Sequence, residues 1–224
     1  MSLILNIDTA TDTASVCLAR NGNAVQFAEN KDQRDHAAWL HEAIQELMQK
    51  EKMNFSDLDA VAVSIGPGSY TGLRVGLSAA KGFCYTLNIP LLTVGTLEMM
   101  AYAAKGEFVD LLCPMIDARR LEVFTAIFDK NLNVILQPQA MIVDKFSFSE
   151  FLASRKVLFF GNGSSKLQSI IQHENALFKK ITHNASVLAI LSLERLEKKL
   201  LEDLAYAEPL YLKDFQTNSR SPAK

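Results

Sequence analysis

The chain has 224 residues, of which 49% are apolar and 21% charged, and its formal charge at neutral pH is −2. That length suits one large domain or two small ones, and the composition excludes global disorder. The charge balance excludes a strongly basic protein that wraps nucleic acid, although not a local basic patch.

Residues 3–8 form an apolar, strand-compatible run, followed by strand-like runs at 13–20 and 24–29. Asn21-Gly22-Asn23 joins the latter two, and Asn-Gly between such runs predicts a hairpin because both residues tolerate positive φ. Ala37, Leu40, Ile44, Leu47 and Met48 recur at spacings of three and four, which predicts a helix over 37–50 with one apolar face. A buried strand over 60–65 is broken by Gly66-Pro67-Gly68. A second helix follows over 71–87, then a short strand at 91–94.

The second half repeats this order. Strands are expected at 111–117, 121–128 and 134–143, a helix at 148–154, a strand at 157–160 and a helix after Gly163. Asp8 precedes Gly22 by fourteen residues, and Asp117 precedes Asn131 by fourteen. The chain therefore reads as two copies of a β-β-β-α-β-α unit with a break near 105–110. Beyond them, Ala189, Leu193, Leu196, Leu200 and Leu204 share one face of an expected C-terminal helix, with Glu194 and Lys198 set for an i,i+4 pair.

The start of the chain lacks the cationic segment of a secretory signal, and no apolar run reaches the ~20 residues of a membrane helix. Cys17, Cys84 and Cys113 lie far apart, which suits buried free thiols in a reducing, cytoplasmic setting.

The run from Ser64 to Leu77 carries the most information. It passes from strand through Gly66, Gly68 and Ser69 into a helix, and a helix start can hold an anion. It matches neither the Walker loop nor the dinucleotide fingerprint, because Thr71 stands where the third glycine belongs. The residues by themselves favour a tight connection with Ser69 or Thr71 as N-cap over a phosphate site. Gly72, Gly76 and Ala80 share one side of this helix, and two readings stay open: close packing in the core or a partner helix. Asp8, Thr9 and Thr11 end the first strand and offer a carboxylate and hydroxyls to a phosphate or its metal. Asp117 reads as a turn cap, and Gly161-Asn162-Gly163 as either a nucleotide cradle or a plain turn.

Other chemistry is not supported. His36 and His41 would point about 140° apart on a helix. His41-Glu-Ala-Ile-Gln45 places glutamine where a zinc peptidase needs its second histidine. No serine or cysteine sits in a nucleophile motif.

Residues 4–18, together with Gly66-Pro-Gly-Ser-Tyr-Thr-Gly-Leu-Arg-Val-Gly76, resemble the TsaB (YeaZ) family. Asp117-Ala-Arg119 with Glu122, Gly161-Asn-Gly163 and Pro209-Leu-Tyr-Leu212 fall where that family has similar segments. The resemblance implies an actin/Hsp70/sugar-kinase-like (ASKHA) α/β fold. Its first lobe, at 1–105, carries partner-binding helices, its second spans 106–212, and 213–224 forms a flexible tail. It implies a non-catalytic subunit for making N6-threonylcarbamoyladenosine at position 37 of tRNAs that read codons starting with A. Such a subunit binds and activates a TsaD-type transferase, with a TsaE-type ATPase, and pairs as a homodimer when alone. The family pairs through its first-lobe helices, which assigns Leu40, Ile44, Leu47, Gly72, Leu73, Gly76, Leu77 and Ala80 to the interface. No cofactor is required of this chain and no metal, while ATP or ADP is a candidate at the inter-lobe cleft or at the interface of the complex. The competing reading is a stand-alone ATP-dependent phosphotransferase using Asp8, Thr11, 66–69 and 161–164.

Overall fold

The fold was analysed in a computed structural model, which describes residues 1–32 and 36–213. Among these residues the chain builds two five-stranded sheets. The first half runs β1 (Leu3–Asp8), β2 (Ala14–Arg20), β3 (Asn23–Asn30), α1 (His36–Lys50), β4 (Ala60–Ser64), α2 (Tyr70–Leu87), β5 (Leu91–Val94) and α3 (Thr96–Ala103). The second runs β6 (Leu111–Asp117), β7 (Glu122–Asp129), β8 (Val134–Ile142), α4 (Ser149–Leu152), β9 (Val157–Phe160), α5 (Ser164–Gln168), β10 (Ala176–Phe178) and α6 (Ala185–Glu197). The sheet orders are β3-β2-β1-β4-β5 and β10-β9-β6-β7-β8, the same order twice. In both, the first three strands are antiparallel neighbours and the fourth runs parallel to the first. This is the duplicated lobe expected from the sequence. Each repeat is longer than the predicted unit by one strand and one helix.

The β2–β3 turn is the predicted one, with Asn21 at φ 50° and Gly22 at φ 76°. α1 and α2 begin one residue before their predicted starts, and the Ser69 hydroxyl accepts the Gly72 amide at 3.2 Å as the α2 cap. α3 was not predicted. Its Leu97, Met99, Met100 and Ala101 are all buried, so it has no polar face to mark the period. The final helix stops at Glu197, whereas the leucine spacing carried it to Leu204. Lys199 adopts φ 55°, and the Leu200 amide turns back to the Arg195 carbonyl at 2.9 Å, which closes the helix.

β1 is buried on both faces. Leu3, Leu5 and Ile7 pack with α1 and α2, whereas Ile4 faces α6. Asn6 shares that second face and is satisfied there: its amide donates to the carbonyls of Ile4 and Cys17, and the Ser192 hydroxyl of α6 donates to its oxygen at 2.7 Å. In the second sheet Cys113, Met115 and Phe159 pack with α4 and α5, while Leu112, Leu158 and Phe160 face α3. The closing helices are thus exchanged. α3, from the first repeat, covers the second sheet, and α6, from the second repeat, lies across the first sheet. Arg195 of α6 grips both carboxylate oxygens of Glu98 in α3 at 2.8 and 2.7 Å.

After α6 the chain runs back along the first lobe. The Glu202 amide donates to the Leu91 carbonyl, Lys81 holds the carbonyls of Ala205 and Ala207, and the Leu210 amide donates to the Ile65 carbonyl at 2.7 Å. The segment assigned to a tail lies outside the described residues beyond 213.

Two glycines in one helix predict opposite outcomes. A Cβ on Gly72 would sit 2.0 Å from the Thr9 carbonyl oxygen, whereas a Cβ on Gly82 meets nothing within 4 Å. Urea denaturation should show Gly72→Ala losing about 1–3 kcal/mol to overpacking. Gly82→Ala should gain about 0.5–1 kcal/mol from helix propensity.

Candidate functional site

The lobes face each other across a cleft of about 1150 Å³. Ala10–Asp12 after β1, the Pro67–Thr71 turn into α2, the β6–β7 turn and Asn162 line it, with Leu210–Lys213 along one side. A smaller cavity of about 500 Å³ shares Thr11, Asp12 and Asn162 and extends to His183. Asn162 donates its amide to the Asp12 carboxylate at 3.1 Å, a direct polar bridge between lobes.

The candidate phosphate residues are brought together, but they are spent on one another. Asp8 is buried and accepts the Ser64 hydroxyl at 2.6 Å and the Ala10 amide at 3.2 Å. The Thr9 hydroxyl donates to the Gly72 carbonyl at 2.7 Å, and the Ser69 amide donates to the Ala10 carbonyl at 2.7 Å. A Cβ on Gly68 would lie 2.1 Å from that same Ala10 oxygen. The glycines therefore admit the protein's own backbone, and the Ser69 and Gly72 amides are taken by the Ala10 carbonyl and the Ser69 hydroxyl.

The second lobe repeats the device. Gly161, at φ 93°, would place a Cβ 2.3 Å from the Met115 carbonyl, and Gly163 packs on the Ile116 backbone. The Gly161-Asn162-Gly163 segment is a turn fitted to the end of β6, with Asn162 pointing its oxygen at the Asp117 amide (2.9 Å). Asp117 caps its turn as predicted, accepting the Arg119 amide at 2.6 Å, and also binds Lys166 at 2.7 Å. Partial burial pulls its carboxyl upward, but Lys166 and the Arg119 amide outweigh this and hold it below the usual carboxylate range.

Two groups lie apart from this arrangement. His183 has an Nε2 shut off from solvent with no hydrogen-bond partner among the described residues. Desolvation pushes its imidazole below the ordinary value, against the opposing pull of Asp8. The cysteines are free and buried, as expected, and burial lifts Cys17 and Cys84 to about 11 and Cys113 to about 12. They stay as thiols and are not nucleophiles near pH 7.

The helix positions assigned to a partner surface are buried within the chain. Leu40, Ile44, Leu47, Leu73, Leu77 and Ala80 are at most 5% exposed. Gly72 and Gly76 face Thr9. Their spacing reports the helix face turned to β1 and β4, so these residues are buried within the chain's own core.

Sequence reasoning missed Ser64 as the donor to Asp8, and Lys166 as the partner of Asp117. The parallel register that sets Val63 beside Ile7 is the signal that brings Ser64 to Asp8. It also missed Arg74, which lies over the Tyr70 ring at 4.1 Å and donates to the Tyr211 hydroxyl at 2.9 Å.

Residues 29–220 match the family model described as TsaD, tRNA N6-adenosine threonylcarbamoyltransferase. The tRNA threonylcarbamoyladenosine biosynthesis protein TsaB of Bacillus subtilis is 33% identical over 176 residues, 75% of either chain. The chain belongs to the TsaB (YeaZ) family. The Escherichia coli protein of the same name is 33% identical over 133 residues, 59% of this chain and 57% of its own. The structure of YeaZ from Pseudomonas aeruginosa shares the fold with a TM-score of 0.79 at 23% identity, covering 95% of this chain and 100% of that one.

In this TsaB-family chain the Asp117–Lys166 pair can be tested by titration. A depressed carboxylate favours the folded state above its unfolded pKa, and that contribution is lost as pH falls through the folded value. Lys166→Met should return Asp117 toward about 3.9 in a carboxyl NMR titration. An unmoved titration would show that Lys166 does not set it.

Proposed function

We propose that this chain is a non-catalytic subunit in the formation of N6-threonylcarbamoyladenosine on tRNA. In this reading it holds and activates a TsaD-type transferase, together with a TsaE-type ATPase, acting at position 37 of tRNAs that read codons beginning with A. One observation carries the non-catalytic part. The glycine turn before α2 is filled by the chain's own Thr9 and Ala10, and Asp8 is engaged by Ser64. A phosphotransferase would need that carboxylate and those amides free to meet a nucleotide.

The partner face is placed on the outward side of α1 and α2. Gly82 stands in the interior of the 18-residue α2, where glycine costs about 1 kcal/mol relative to alanine. Nothing among the described residues uses its lack of a side chain. Tyr85, one turn on, is 82% exposed. A helix from a second chain would use both, the glycine for close approach and the tyrosine as an anchor. The same face serves a homodimer when the transferase is absent.

The test is the threonylcarbamoyladenosine content of bulk tRNA, by mass spectrometry, after depletion of this protein in its own cells. The level should fall sharply and return with the wild-type chain, but not with Gly82→Arg, which has open space for the side chain and should fold. An unchanged level under verified depletion would overturn the reading. Full rescue by Gly82→Arg would overturn only the position of the partner face. ATP hydrolysis by the isolated chain, lost in Asp8→Ala, would favour the stand-alone enzyme.

A further inference from the structure

The charges around the large cleft do not balance as those of the whole chain do. Three carboxylates line it, and each is already engaged. Asp12 takes the Asn162 amide, Asp117 takes Lys166, and Glu122 takes Lys213. Three guanidiniums line it as well, those of Arg74, Arg119 and Arg120, and none has a carboxylate within 4.0 Å among the described residues. Arg20 and Arg155, outside the cleft, also lack a carboxylate partner among the described residues, so what marks the cleft is that three such arginines line one cavity.

The arginines are also held for use. Arg119 and Arg120 are successive residues at φ 71° and 52°. Left-handed backbone costs a side-chain-bearing residue about 1–2 kcal/mol. Glycine would relieve that cost, yet arginine stands at both positions. Across the cleft, Arg74 is fixed by Tyr70 and Tyr211, whose rings lie 5.3 Å apart and are 37% and 41% exposed. Arg74 donates Nε to the Tyr211 hydroxyl and also hydrogen-bonds Tyr70.

We propose that this cleft binds a single-stranded segment of RNA. Arg119 and Arg120 take its phosphates, and Tyr211, held beside Arg74, takes a base. Arginines that position phosphates beside an aromatic platform make up the general chemistry of single-strand recognition. A free nucleotide fits less well. The Ser69 and Gly72 amides at the turn are already bonded within the chain, and the cleft, at about 1150 Å³, exceeds the roughly 300–1,000 Å³ of a small-molecule pocket. The tyrosines favour bases over an acidic protein segment. The inference rests on the reading that the chain serves tRNA modification, and it adds that this chain itself touches the RNA.

The experiment is fluorescence anisotropy with the full chain and a labelled single-stranded RNA of anticodon-loop sequence. The Arg119→Gly/Arg120→Gly double variant suits the left-handed backbone and so keeps the fold. It should bind about tenfold or more weaker. The slope of log Kd against log salt should flatten by about 1.4, about 0.7 for each lost phosphate contact. Tyr211→Leu should weaken binding about tenfold with the slope unchanged, since stacking carries no counterions. Lys130→Ala, on the exposed β7–β8 turn outside the cleft, should bind as wild type. Undiminished binding by the double variant would overturn the proposal. So would displacement of the RNA by ADP or by oligoglutamate at concentrations matching its own affinity, which would reassign the cleft to a free nucleotide or an acidic protein segment. None of these outcomes changes the tRNA modification measured on depletion, so the two readings fail separately.

Discussion

Each lobe is built around a contact that only glycine permits: the end of its first strand lies against the turn that follows its fourth strand. In the first lobe the carbonyls of Thr9 and Ala10 press on Gly72 and Gly68. In the second the Met115 carbonyl presses on Gly161 and the Ile116 backbone on Gly163. A side chain at any of these glycines would overlap backbone, which cannot move aside as a side-chain tip can. The contact fixes where α2 and α5 begin, and with them the two walls of the cleft. It also decides the chemistry. A glycine turn at a helix start is a place where a protein can receive phosphate. Here the chain receives itself: the Ala10 carbonyl accepts the Ser69 amide, and the Ser64 hydroxyl donates to Asp8.

The two repeats are held by exchange. α3 and α6 each leave the sheet that precedes them and cover the other one, so neither lobe has a complete core by itself. Asn6 shows how a polar residue is kept in such an interface. It sits on a central strand with no exposure, and its amide and oxygen are both met, the latter by Ser192 from α6. A buried amide left unpaired would cost about 1–3 kcal/mol. The segment after α6 then binds the edge of the first sheet and reaches the cleft, where Lys213 meets Glu122 of the second lobe.

These features fit a subunit that works through its surfaces. The inward face of α2 is covered by β1 and β4, and on its outward face a Cβ at Gly82 would meet no atom of the described residues within 4 Å. The cleft keeps Arg74, Arg119 and Arg120 in its lining, while Asp8 beside it is bonded to Ser64.

Local chemistry was enough to read much of this from the sequence. Asn21-Gly22 specified its hairpin because both residues accept positive φ. The spacing of Leu40, Ile44 and Leu47 specified a helix, Ser69 specified its cap, and the repeated strand order specified two lobes. What failed was whatever depends on a neighbour distant in the chain. The period of Gly72, Gly76 and Ala80 says that one face is covered but not by what, and the cover proved to be Thr9 and the first sheet. α3 escaped notice because burial on all sides erases amphipathic contrast. α6 was extended too far because Leu200 and Leu204 continue the period, while the left-handed Lys199 that ends the helix leaves no mark on it. Arg74, Arg119 and Tyr211 lie far apart in the sequence and become one surface only when the lobes close around the cleft. The sequence by itself determined elements, caps and duplication, because those rest on interactions within a few residues. The tertiary structure alone decided which faces are core, which carboxylates are spent and which charges stay unpaired, because each depends on what the fold brings within hydrogen-bonding distance.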